Sequence, residues 1–78
     1  MKIEKVWFDN KNIYVKTDIG HIVGNPLKWF PSLFNATKDQ RNNFEIGLYG
    51  IHWPDIDEDL SLEGFFTYKT NNIVHIYE

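Results

Sequence analysis

Apolar and polar residues alternate over short runs at the start of the chain and adopt a wider spacing in the middle. IEKVWF (3–8) is rich in β-branched and aromatic residues, as strands are. Asp9-Asn10-Lys11-Asn12 then supplies turn chemistry, because Asn and Asp tolerate left-handed backbone and bond their own turns. IYVKT (13–17) places Ile13 and Val15 on one face of a second predicted strand. Asp18-Ile19-Gly20 predicts a tight turn, and HIVG (21–24) a third short strand. Three strands with short connections predict an antiparallel meander, one face of which must be covered.

The cover is expected from the middle of the chain. Asn25-Pro26 is expected to break the sheet. In LKWFPSLFNA (27–36), Leu27, Phe30, Leu33 and Phe34 stand at helical spacing, with Pro31 suited to a first-turn position. Thr37 followed by Gln40 matches a capping box and predicts a helix over 38–44. NFEIGLYGI (43–51) predicts a strand bulged at Gly47 or Gly50. Pro54 forces extended backbone at Trp53. Asp59 or Ser61 is then expected to cap a last short helix through Leu62, Glu63, Phe65 and Phe66. NNIVHIYE (71–78) reads as a turn and a closing strand. Residues 1–78 are expected to form a single α+β domain: a small antiparallel β-meander covered by two or three short helices.

Composition narrows the chemistry. A 78-residue chain buries only roughly 60% of its unfolded surface, so stability should be modest. Cysteine is absent, which excludes disulfides and Cys-ligated metal sites. Three Trp, four Tyr and six Phe offer the core mass instead. No run approaches the roughly 20 apolar residues of a membrane span, nor does the start of the chain resemble a signal peptide. A cytoplasmic protein without membrane contact is expected. The net charge of −3 and the scattered basic residues speak against direct nucleic-acid binding by Phe30, Trp29 and Tyr49. Those aromatics read as core.

Charge concentrates in GIHWPDIDEDLS (50–61). Asp55, Asp57, Glu58, Asp59 and Glu63 put five of the eleven acids into nine residues. Asp55-x-Asp57-x-Asp59 opens like a calcium loop, but Leu60 and Phe66 stand where that loop needs a glycine and a bidentate acid. Whether a looser cation site exists at 55–59 stays open. His52 with Asp55 and Asp57 would suit acid–base or metal chemistry. No nucleophile motif accompanies them, and the three histidines, His21, His52 and His75, have no zinc-site spacing. The structural alternative has His52 packing beside Trp53 and capping a backbone group. Trp53 would then be a buried aromatic, Pro54 a stiff bend, and Asp59 and Ser61 the acidic start of a helix. The surplus acids remain free to bind a partner. No cofactor is expected.

Two longer stretches carry a resemblance. WFPSLFNATKDQRNNFEI and GIHWPDIDEDLSLEGFF resemble the small bacterial proteins called domain of unknown function 2442. The first motif falls on Trp29, Phe30, Pro31, Leu33, Ala36, Thr37, Gln40, Arg41, Phe44, Glu45 and Ile46, and the second on every position from Gly50 to Phe66 except Asp55. Ser32 departs from the basic residue often found at its position, and the tail NNIVHIYE has no counterpart. The resemblance implies an α+β fold with a small antiparallel sheet, implies little about activity, and carries over no catalytic residues. Some members look like the partner of a small toxin encoded beside them. Others resemble a fusion to a helix-turn-helix domain, of which nothing is legible here.

Together these readings predict a non-enzymatic, antitoxin-like interaction module with a basic, toxin-like protein partner. Its contacts are expected at Trp29, Tyr49, His52, Asp55, Asp57 and Glu58. The alternative is a small enzyme or metal site around His52, Asp55 and Asp57. A homo-oligomer extended through the strand at 73–77 is a third expectation.

Overall fold

The computed structural model describes residues 2–67. Its first half is the expected meander: β1 (Ile3–Phe8), β2 (Asn12–Thr17) and β3 (Ile22–Pro26) pair antiparallel in the order β1-β2-β3. Val6, Val15 and Val23 share one row, and Phe8, Ile13 and Asn25 the next. The β1–β2 register shifts between Ile3 and Lys5. This irregularity turns both Ile3 and Val6 inward, which strict alternation would forbid. Asp9 closes the first turn by accepting from the Lys11 and Asn12 backbone N–H groups and the Tyr14 hydroxyl. The last bond is the chief reason its carboxyl is held below the usual carboxylate range. Asn25 and Pro26 do not break the sheet but end β3, because Pro26 can occupy an edge position that needs no donor.

The expected helix at 27–36 is split. A 3-10 turn at Leu27–Trp29 precedes α1 (Pro31–Phe34), with Pro31 in the first turn. α2 (Lys38–Asn42) carries the full capping box: Gln40 N–H donates to Thr37 Oγ1, and Thr37 N–H to Gln40 Oε1. Arg41 reaches back to the end of α1, donating to the Leu33 and Phe34 carbonyls.

A second sheet follows, which the hydrophobic pattern did not reveal. The expected strand at 43–51 is instead a hairpin, β4 (Glu45–Ile46) and β5 (Gly50–Trp53), and β6 (Glu58–Ser61) pairs beyond it in the order β4-β5-β6. Gly47 and Gly50 face each other across the turn, where Gly47 N–H donates to the Gly50 carbonyl at 2.8 Å. They flank a reversal, not a bulge. The chain ends its described part in α3 (Leu62–Thr67). The expected closing strand at 73–77, His75 included, lies outside the described residues.

One apolar cluster spans both sheets. Ile13 and Val15 from the first meet Ile51 and Trp53 from the second, with Leu27, Leu33 and Phe65 between. Trp53 is wholly buried, edge-on to Phe8 and tilted against Phe44. Its indole Nε1–H donates to the Arg41 carbonyl at 2.8 Å. The buried Asn25 amide donates to the Phe65 carbonyl and so ties β3 to α3. The architecture is α+β, with two small antiparallel sheets and short helices around a shared core.

Candidate functional site

The second sheet carries almost all the residues that the sequence singled out, but arranges them differently. Strand alternation sends Ile51 and Trp53 into the core and leaves Gly50 and His52 on the outer face. His52 therefore does not pack beside Trp53, and it caps no backbone group. The β5–β6 register sets His52 opposite Asp59, and the β4–β5 register sets it opposite Glu45. His52 Nδ1–H donates to Asp59 Oδ1 at 2.7 Å, since a carboxylate only accepts. This bond to Asp59 raises the His52 pKa above its ordinary value, with the charges of Asp59, Glu45 and Asp57 adding to it against some desolvation.

Asp59 is consequently not a helix cap. It lies in β6, because the acidic run turns at 54–57 and then pairs with β5. Asp57 sits in that turn at φ 50°, a left-handed conformation that Asp adopts more readily than most residues. Ser61 does cap α3: its Oγ accepts from Gly64 N–H at 2.8 Å. Pro54 opens the turn directly after buried Trp53.

Asp55 does not approach His52 as a catalytic partner. Its carboxylate accepts from the Asn43 amide at 2.9 Å and ties the turn to the end of α2. Glu58 and half-buried Trp29 line one depression of about 300 Å³ beside β6. A shallower one of about 450 Å³ on the outer face is bordered by Glu45, Ile46, Gly47, Gly50, His52 and Asp59. Tyr49 stands at the hairpin tip, at the opposite end of β5 from Asp55 and Asp57. The residues expected to bind a partner thus fall around both ends and both sides of one small sheet.

Sequence reasoning missed Glu45, Ile46 and Leu48. The signal was present as Gly47-Leu48-Tyr49-Gly50, two glycines around a two-residue loop. It also missed a segregation of charge. From Asn42 to Thr67 the chain has no Lys or Arg and holds six acids, whereas residues 2–41 hold seven of the eight basic residues. On the first sheet's outer face Lys5, Trp7 and Tyr14 stack on one another, and Tyr14 lies over Gly24. Those rings satisfy themselves and leave no open stacking platform.

Among the described residues no group of three or more His, Cys, Asp or Glu side chains is arranged to hold a metal ion. His21 lies in the turn before β3, away from His52 in the other sheet. Among the described residues, no helix is long and apolar enough to cross a membrane.

The model of a family described as protein of unknown function (DUF2442) matches residues 3–71. A crystal structure of a protein of unknown function from Rhodospirillum rubrum is similar, with a TM-score of 0.72 and 30% identity. The match covers 85% of this chain and 84% of that one. No curated protein matches the sequence.

Proposed function

We propose, from the premise that the chain belongs to the DUF2442 family, a non-enzymatic interaction module that binds a basic protein through its second sheet. The observation that carries this reading is the charge segregation: six acids and no Lys or Arg between Asn42 and Thr67. A surface of one sign steers an oppositely charged partner and rejects like-charged ones. A basic, toxin-like protein fits that chemistry, and the module would then act as its antitoxin-like partner. His52 serves this reading as a pH-sensitive member of an otherwise acidic face.

The test is affinity capture from the source cells, followed by titration calorimetry with the purified partner. The comparison is a variant carrying Asp55→Asn, Asp57→Asn and Glu58→Gln. Asn keeps an acceptor for Asn43 at 55 and tolerates the left-handed backbone at 57. A stoichiometric basic partner that binds the variant at least about tenfold more weakly supports the reading. Equal affinity, or no stoichiometric partner, overturns it.

A further inference from the structure

The β4–β5 hairpin presents large apolar residues to water at its tip. Common two-residue hairpin loops take Asn, Asp and Gly because their turns need positive φ, which neither Leu48 nor Tyr49 adopts here. Here the two loop positions are Leu48 and Tyr49, 65% and 81% exposed, and Ile46 beside them is 43% exposed. Most of the Leu48 and Tyr49 surface is left in water, and Ile46 is only partly covered. The backbone beneath them is nevertheless fixed. Gly47 N–H bonds the Gly50 carbonyl, and the Tyr49 carbonyl accepts from Leu62 N–H at 2.6 Å, at the start of α3. Large apolar side chains thus stand largely exposed on a preorganised support.

We infer that Ile46, Leu48 and Tyr49 are the apolar centre of a docking surface for a basic amphipathic segment of a partner protein. The inference rests on the interaction reading above and names the contact. Exposed clusters of large apolar residues mark interaction sites, and tyrosine is favoured at their energetic centres. Charge selects the occupant. Glu45 borders the same depression as Ile46 and Gly47, beside Asp59 held by His52, so the apolar tip has a free acid at its rim. An apolar segment flanked by Lys or Arg satisfies both parts. A second copy would have to offer its own basic half, residues 2–41. Such a head-to-tail contact leaves complementary faces free at each end and builds a ring or a filament, not a simple dimer.

The test selects binders to the immobilised full chain from a random dodecapeptide phage library. Synthetic versions are then titrated against the wild type, Leu48→Asn/Tyr49→Asn and Glu45→Gln. Tryptophan fluorescence and a urea melt establish that each variant is folded, and Tyr49→Asn alone replaces the double variant should that one unfold. The expected peptides place Lys or Arg beside Leu, Ile or aromatic residues. Their affinity falls about tenfold or more in the tip variant, and falls with Glu45→Gln and with added salt. Peptides that bind the tip variant as tightly as the wild type overturn the inference, while leaving the acidic-face reading to its own test with the native partner. A library that yields no binder overturns it as well. Wild-type self-association in sedimentation velocity, abolished by the tip variant, overturns it in favour of a second copy.

Discussion

His52 and Asp59 face each other across β5 and β6 with Nδ1 and Oδ1 2.7 Å apart, both side chains partly or largely exposed. The pair is built by strand register alone, seven residues apart in sequence, and it places the one titratable cation of the second sheet inside a frame of carboxylates.

The pairing predicts a pH dependence with a defined sign. Because the folded pKa of His52 is raised, the imidazolium–carboxylate pair stabilises fully below the unfolded value, about 6.5. That contribution is lost as pH rises through the raised folded value. Asp59→Asn removes the largest cause, so the His52 titration followed by NMR should move down toward its ordinary range. An unchanged titration midpoint in the variant would show that Asp59 is not the cause.

Trp53→Phe should destabilise the fold by about 1–3 kcal/mol, because it leaves the part-buried Arg41 carbonyl without its indole donor and opens a small void where Trp53 is wholly buried. Urea unfolding measures this. Trp53→Ala should cost about 3–5 kcal/mol and threaten folding altogether in so small a domain.

Asn25→Ala should cost about 1–3 kcal/mol, since it removes the buried donor to the Phe65 carbonyl. The effect has a location as well as a size. Amide exchange should accelerate most in α3, which that bond ties to the first sheet. Uniform acceleration through all elements would instead show that Asn25 acts on global stability alone.

Gly50→Ala should disrupt the second sheet selectively. A Cβ there collides with the Leu60 carbonyl oxygen and comes 3.1 Å from Ser61 Cα. Both are backbone atoms, so β6 itself must shift, at about 1–3 kcal/mol. Gly47→Ala meets only the Gly50 carbonyl at 3.8 Å and should be tolerated. Thermal melts of the two variants compare these directly, and equal losses would show that the close approach at Gly50 is not the cause.

Local chemistry was readable wherever it was decided locally. Thr37 and Gln40 formed their capping box because both partners lie within one turn. Asp9 through Asn12 turned as Asx chemistry requires, and the three N-terminal strands followed from alternation. Ser61 capped α3 for the same short-range reason. The second sheet was different. β4 has two residues and β5 and β6 four each, too short for any period to declare itself. The acidic run from Asp55 to Asp59 suits a helix start or a turn and strand equally well by propensity.

The sequence by itself determined the α+β class, the capped α2 and the concentration of acids in the second half of the chain, whereas the core proved mostly aliphatic and Tyr49, read as core, stands exposed. Tertiary structure decided that Glu58–Ser61 is a strand, because pairing with β5 lets Trp53 and Ile51 bury against the first sheet. That pairing, and nothing in the spacing of residues, gave His52 its partner Asp59, while Asp55 went to Asn43 and the β4–β5 pairing raised Leu48 and Tyr49 to an exposed tip. Register is a long-range choice, fixed by which face gains most from leaving water, and one residue of slip would have exchanged the buried and exposed sets.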